Sequence, residues 1–380
     1  MRILIATGVP RQQEAGTAAV VLNHARELQK RGHQVTCWFV EDVLEKPAKW
    51  KRFEALWFAV ALASRILARR GEFDVVNIHA PYGCAYGGWR KLGKLRGAPP
   101  YVFTMHGCEE RFVRAMLLER RRGHAPNFKL KNRLWHRFYH RVMFDLAIRT
   151  ATVGAVVNRE GWICSEMLHR GKPGHVWYVP NGVEEKFFLD HEYVEGSASR
   201  LLYVGTWLDR KGVYYLAEAF QLLAGALPEA RLTVAGCFLP EEELRRSFAA
   251  SVRDRVTVIP FVARDDMPNL YAQHDLFVLP SLVEGMPLAL LEAMAAGMPV
   301  VTTESSGMAD VVEDELNGLL VPPADSEGLF GALSSLCGSA ELRRRLGNEA
   351  QRTMRRYTWE QVTQKLEKIL ILAARTGSEN

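Results

Sequence analysis

Residues 275–303, DLFVLPSLVEGMPLALLEAMAAGMPVVTT, constrain the fold more than any other part of the chain. Residues 276–279 form a short, wholly apolar run of the length of a strand buried on both faces. Pro280, Gly285 and Pro287 break that run into a turn. Residues 288–296 are rich in strong helix formers, and Gly297 and Pro299 stop the helix. Residues 300–303 are β-branched and read as the next strand. Strand, loop, helix, strand is a parallel unit with a crossover. It puts a turn and a helix N-terminus at the carboxyl edge of a sheet, where backbone N–H groups favour an anion, most naturally a phosphate.

Two carboxylates bracket the turn, Glu284 in the loop and Glu292 in the helix, spaced E-x7-E. A carboxylate repels an anion beside it, so a functional role here is to accept hydrogen bonds from sugar hydroxyls; the bland alternative is a pair of solvated glutamates. The string PSLVEGMPLALLEAMAAGMPVVTT resembles the donor-site signature of the family 4 glycosyltransferases, retaining nucleotide-sugar enzymes of the GT-B fold. The resemblance implies that Glu284 holds the transferred sugar and Glu292 the ribose. It also implies that the turn at Gly285, from Met286 through Pro287 to Leu288, faces the diphosphate with its N–H groups.

At 380 residues the chain suits two domains of ordinary size. The most apolar stretch, residues 53–67, contains Glu54, Ser64 and Arg65 and falls short of a membrane span. The opening MRILIATG reads as a first strand rather than a signal peptide. The six cysteines include no C-x-x-C pair, which fits a reduced, cytoplasmic protein and argues against a zinc site. The net charge of +6 is unevenly spread: residues 1–190 hold 31 Lys+Arg against 17 Asp+Glu, and the remainder 18 against 26. A basic half beside an acidic one calls for an anionic partner: a membrane surface, a lipid phosphate or an acidic glycan. Without a nucleic-acid motif, nucleic acid is the weakest candidate.

Along the first half, residues 2–7 read as a strand, 18–30 as a helix and 34–40 as a strand. The turn between the first two lacks G-x-G-x-x-G but keeps Gly16, and Gly32-His33-Gln34-Val35 matches the family's GHxV. The resemblance assigns Gly16 to the donor side; an ordinary turn is the alternative. Residues 46–70 are basic at both ends and aromatic between, and read either as a buried helix, the favoured reading, or as an amphipathic helix on an anionic membrane. Residues 73–79 and 101–106 are buried strands, each ending in a histidine at a carboxyl edge. His106-Gly107 matches the family's HG, which implies contact with the transferred sugar. His79, Glu109 and Glu110 are candidates for the acceptor. Residues 111–149 are densely basic with interleaved aromatics, which suits a solvated face or a membrane-facing surface. Strands at 152–158 and 176–179 lead to Pro180-Asn181-Gly182-Val183, the family's PNGV, and to a linker at 190–199.

The second half opens with a strand at 201–205, followed by TWLDRKG and a helix at 213–223. The family pattern GRLxxxKG is met at Lys211 and Gly212, with Thr206 in place of its arginine and Arg210 adjacent. Lys211 is a point charge suited to a leaving diphosphate. Strands at 232–236 and 256–262 follow, and the resemblance puts Val262 near the nucleotide base. Gly307-Met308-Ala309-Asp310 departs from the family's glutamate, while residues 317–323 match NGLLVPP.

The expected fold is α/β, of GT-B type: two Rossmann-like domains facing each other across a cleft, with a C-terminal helix packing back on the first. The domains are expected at 1–190, acceptor-binding, with a return of about 357–380, and at 200–356, donor-binding. The expected activity is retaining transfer of a hexosyl group from a UDP- or GDP-hexose to a glycan hydroxyl, with a lipid-linked acceptor favoured. No D-x-D occurs, so neither a metal nor another cofactor is expected, and Lys211 with the helix N-terminus would neutralise the diphosphate instead. His106, Glu284 and Lys211 are the catalytic candidates. The alternatives are an inactive donor-binding partner subunit, a GT-B nucleotide-sugar epimerase and a membrane-binding scaffold. A cytoplasmic location, with peripheral contact at the inner face of the membrane, completes the reading.

Overall fold

The computed structural model describes residues 1–11, 16–44, 53–92, 97–107, 109–125, 128, 135–168 and 175–378. The chain forms two compact units. One comprises Met1–Glu109, Lys129–Gly182 and Trp359–Asn380; the other comprises Glu110–Phe128 and Val183–Thr358.

The first unit holds six strands: β1 (Arg2–Ala6), β2 (Gln34–Trp38), β3 (Val75–His79), β4 (Tyr101–Met105), β5 (Val153–Val156) and β6 (Val176–Tyr178). Their order is β2-β1-β3-β4-β5-β6, with every neighbouring pair parallel. Side chains alternate across the sheet. Leu4, Ala6, Val76, Ile78 and Phe103 pack on one face with the helices Glu54–Ala68 and Arg141–Thr150. Ile3, Ile5, Val75, Val102 and Ala155 pack on the other with the helices Thr17–Lys30 and Trp359–Ser378. Covering both faces explains why β3 and β4 are buried at every position. The C-terminal helix thus completes the first unit's core through Leu366, Ile369, Leu370 and Ala373.

The second unit holds β7 (Arg200–Val204), β8 (Arg231–Ala235), β9 (Val256–Ile259), β10 (Leu276–Leu279), β11 (Val300–Thr303) and β12 (Leu319–Val321), in the order β12-β11-β10-β7-β8-β9. Both sheets are doubly wound. The chain leaves β1 for β2 on one side and returns to β3 on the other, and leaves β7 for β8 and β9 before returning to β10. The crevices at β1/β3 and β7/β10 are therefore the topological switch points where such sheets bind ligands.

Some expectations shift. The strand read at 34–40 ends at Trp38, where Phe39 caps a short helix, Val40–Val43. The strand read at 256–262 ends at Ile259, because Pro260 has no N–H to donate to a ladder. Of the stretch 46–70, residues 53–70 are described. Phe58, Ala59, Leu62, Ala63 and Ile66 are buried on one face while Leu56 and Trp57 are exposed, so the apolar girdle is wider than the buried face. Residues 110–128, read as part of the first domain, group with the second unit. There the nearly buried Glu119 accepts from Tyr215 Oη at 2.7 Å and Arg122 Nη1 at 3.0 Å, partners a buried carboxylate requires. Among the described residues, no helix is long and apolar enough to cross a membrane.

Candidate active site

At the β7/β10 switch point three loops are stitched together by hydrogen bonds to backbone carbonyls and by close backbone packing. Leu282 donates its N–H to the Arg210 carbonyl at 2.8 Å, joining the loop after β10 to the loop after β7. Ser305 Oγ donates to the Leu282 carbonyl at 2.8 Å, joining the loop after β11. Gly212 has φ +70° and lies against Pro280, whose carbonyl oxygen would be 1.9 Å from any Cβ placed there. Both the left-handed backbone and the close approach exclude a side chain at that position. Gly307 meets the Gly285 carbonyl in the same way, at 1.8 Å.

This scaffold brings Lys211, Arg210 and Glu284 together. Lys211 Nζ is 2.6 Å and Arg210 Nη1 2.8 Å from the same carboxylate oxygen, Glu284 Oε1. Lys211 and Glu284 are almost fully buried. Burial pushes the Glu284 carboxyl up, but Lys211 and then Arg210 outweigh it and hold it below the ordinary carboxylate range. The carboxylate is therefore ionised, and two cations against one anion leave the cluster with one net positive charge. The helix Leu288–Ala295 begins four residues beyond Glu284, capped by the Pro287 backbone with no side-chain cap. Proline has no amide hydrogen, so the N–H donors of the turn from Met286 through Pro287 to Leu288 are those of Met286 and Leu288. Thr206 is half-buried in the loop after β7, with its carbonyl accepting from Tyr203 Oη at 3.0 Å. Val262 is half-buried in the loop after β9.

Glu292 faces inward from that helix and is buried. Its Oε1 is 2.5 Å from Arg264 Nη1, and its Oε2 accepts from Tyr271 Oη at 2.9 Å. Arg264 also reaches Glu184 Oε1 through Nη2 at 2.7 Å, bridging the residue just after PNGV to the E-x7-E helix. Burial opposes the Arg264 charge, and Glu292 and Glu184 outweigh it. Arg264, Glu184 and Tyr271 escape sequence reasoning. Arg264's position in the loop after β9, two residues past Val262, is the one signal for it.

In the first unit, β3 and β4 bring His79 and His106 side by side, with Nδ1 of His79 2.7 Å from Nε2 of His106 and ring centroids 4.9 Å apart. His106 is half-buried; His79 is 0% exposed. That burial corrects the expectation that His79 meets the acceptor, because no atom of it reaches a surface. Burial pushes His106 down to about 4. It also pushes His79 well down, with the neighbouring His106 and His24 adding to the effect. Both rings are neutral at pH 7. Glu109 opens the helix Glu109–Arg122, its side chain lying outside the described residues, and Glu110 is exposed on the same helix. Gly16, with φ +61°, caps the helix Thr17–Lys30, and its carbonyl accepts from Val20 N–H at 3.2 Å.

A family described as Glycosyltransferase Family 4 matches residues 15–187, and one described as Glycosyl transferases group 1 matches residues 198–339. The UDP-Gal:alpha-D-GlcNAc-diphosphoundecaprenol alpha-1,3-galactosyltransferase of Escherichia coli is 26% identical over 279 residues, 70% of this chain and 67% of that one. Four further relatives are matched over 40–48% of their own length. Among solved structures, the sucrose-phosphate synthase of Thermosynechococcus elongatus covers all of both chains with a TM-score of 0.79 at 18% identity. HepE of Anabaena in complex with UDP-glucose covers 98% of this chain and 99% of its own, with a TM-score of 0.71 at 17% identity. At those identities the structural likeness carries the fold, and the two family matches fall one on each doubly wound sheet. The chain belongs to the family 4 glycosyltransferases of the GT-B fold.

Proposed function

We propose that this glycosyltransferase of glycan or glycoconjugate synthesis is retaining and metal-independent, and moves a hexosyl group from a UDP- or GDP-hexose to a hydroxyl of a lipid-linked glycan. The observation that carries the reading is the Lys211–Arg210–Glu284 cluster, net cationic and with Lys211 and Glu284 nearly buried, at the head of the helix Leu288–Ala295. The name of the E. coli relative gives a UDP-sugar donor and a diphosphoundecaprenol-linked acceptor. The HepE structure contains UDP-glucose.

In this mechanism Lys211 and Arg210 stabilise the charge that builds on the diphosphate as the bond from the anomeric carbon to phosphate oxygen breaks. An ammonium has three N–H groups, so Lys211 keeps Glu284 while donating to a phosphate. The N–H groups of the turn at Gly285 add to that positive potential. Glu284, held ionised, accepts from a hydroxyl of the transferred sugar, and Glu292 accepts from the ribose hydroxyls; His106, in the first unit, is assigned to the sugar by the family's HG motif alone. The acceptor hydroxyl attacks from the face the diphosphate leaves, and its proton passes to the departing phosphate oxygen. No enzyme nucleophile is required, and the anomeric configuration is retained.

A peripheral membrane contact suits the lipid-linked acceptor. Val142 and Leu146, one helical turn apart, are exposed beside Arg141 and Arg149, and Trp57 is exposed on the helix Glu54–Ala68. Apolar side chains flanked by cations fit an anionic bilayer surface. Cosedimentation with vesicles containing anionic lipid, but not with neutral ones, is the expected result.

Thermal unfolding with UDP, GDP, ADP and their sugar conjugates, each with EDTA, tests the donor reading, since a ligand of the native state raises the midpoint. A shift with one nucleotide in EDTA supports donor class and metal independence together. The anomeric configuration of a transferred sugar, read by NMR, then tests retention. No shift with any nucleotide refutes the reading.

A further inference from the structure

We infer that His79 is a positioning residue for the transfer site: its Nδ1–H donates to His106 Nε2, which fixes His106 as the tautomer protonated on Nδ1 and turns that N–H toward an oxygen of the bound sugar. The inference rests on the reading of His106 as a sugar-facing group and adds what sets its proton.

The two ring nitrogens are 2.7 Å apart, so one ring donates and the other accepts. There are two arrangements, and they differ in what is left on the far side of His79. If His106 donates, His79 carries its proton on Nε2. That nitrogen is buried and has no hydrogen-bond partner among the described residues, so the arrangement buries an orphan N–H. If His79 donates, Nε2 is a bare lone pair. Native proteins tolerate an unpaired acceptor better than an unpaired donor, which favours the second arrangement.

The surroundings of His79 point the same way. Ala6 pairs with Ile78, so Thr7, one residue past β1, falls beside His79 on the adjacent strand. Asn77 lies two residues earlier on β3 and shares its sheet face. Thr7 Oγ1 and Asn77 Nδ2 are buried and unpaired, and Asn77 Oδ1 already accepts from Thr104 Oγ1 at 2.7 Å. Both unpaired groups can supply protons, the amide obligatorily and the hydroxyl by rotation. A lone pair on His79 Nε2 suits that environment, and a further N–H opposes it. The third imidazole of this region, His24, is tied through Nδ1 to Thr363 Oγ1 at 2.8 Å.

Selective 15N-histidine labelling with long-range proton–nitrogen correlation reads each tautomer directly and needs no substrate. In the native chain His106 is expected to show a protonated Nδ1 and a bare Nε2, and His79 a protonated Nδ1. His79→Asn keeps a donor at the Nδ1 position; His79→Phe keeps a ring without one. His79→Phe is expected to release His106 into a tautomer mixture and to lower kcat about tenfold with KM for the acceptor unchanged, the effect of one hydrogen bond on a reacting group. His79→Asn should restore kcat to within about threefold of the native value. A proton on Nε2 of His106 in the native chain overturns the assignment, as does a His106 tautomer that His79→Phe leaves unchanged. If His79→Phe fails to fold, the native spectrum decides alone. If the tautomer is as stated but no nucleotide sugar is turned over, the proposed function falls and the pairing of the histidines stands.

Discussion

Glu284→Gln separates the two roles assigned to the cationic cluster. The substitution keeps the side chain's shape and removes its charge, so the cluster's net charge rises from one to two. At roughly 5 Å from a phosphate and an effective dielectric constant near 20, one unit charge is worth about 3 kcal/mol. Arg210 is about one-third exposed, so screening reduces this to about 1–2 kcal/mol, or about 5–30-fold in affinity. Binding of UDP or GDP is therefore expected to tighten in the variant. Transfer is expected to fall about 100-fold, because an amide replaces the carboxylate that accepts from the sugar. The folded state should lose about 2–4 kcal/mol, since the buried Lys211 and the partly exposed Arg210 lose their counter-ion. Titration calorimetry with the nucleoside diphosphate, single-turnover transfer and urea unfolding measure the three quantities. Nucleotide binding weakened tenfold or more in a folded variant would refute the diphosphate role of the cations. Undiminished transfer would refute the sugar-binding role of Glu284.

Gly212→Ala should destabilise the chain by about 2–4 kcal/mol and lower kcat, because its Cβ would overlap the Pro280 carbonyl and push Lys211 aside; denaturant unfolding within 0.5 kcal/mol of native would contradict this. Arg264→Ala should cost about 3 kcal/mol and weaken nucleotide binding by leaving Glu292 and Glu184 without their shared cation. Arg264→Lys should fail to restore either, since one ammonium lacks the fork that spans two carboxylates. Acid should destabilise the first unit well before its carboxylates protonate. His24 is pushed by burial from 6.5 down to about 3, so it is neutral when folded and protonates on unfolding. Stability is full above pH 6.5 and falls as the pH drops toward about 3, by about 1.4 kcal/mol at pH 5.5 from His24 alone, with His79 and His106 adding in the same direction. Hydrogen exchange of the β3 and β4 amides, corrected for intrinsic rates, should show that loss; equal protection at pH 7.5 and 5.5 would rule it out.

Much of this was legible because local chemistry and global fold agree. Leu276–Leu279 and Val300–Thr303 are strands where their apolar and β-branched composition places them, and the helix between them begins where Pro287 ends the turn. A parallel strand buried on both faces admits few other residues, so its sequence announces it. Boundaries were less legible: Trp38 ends a strand that composition alone would have extended, because the limit is set by where the neighbouring strand stops pairing.

From sequence came the Rossmann-like character of both halves, the places of Lys211, Glu284 and His106 at carboxyl edges, and that of Glu292 in the helix between two strands. Tertiary structure alone decided what each of those groups meets. Lys211 and Glu284 are 73 positions apart, and they touch because a switch point sets β7 beside β10. Arg264 is joined to Glu184 across 80 positions, and no local pattern of charge distinguishes it from a solvated arginine. His79 looked like an acceptor contact because it ends a strand at a carboxyl edge. It proved to be buried behind His106 because β3 and β4 are neighbours whose ends lie in register. Periodicity reports which face a side chain takes; it carries no information about which distant residue shares that face.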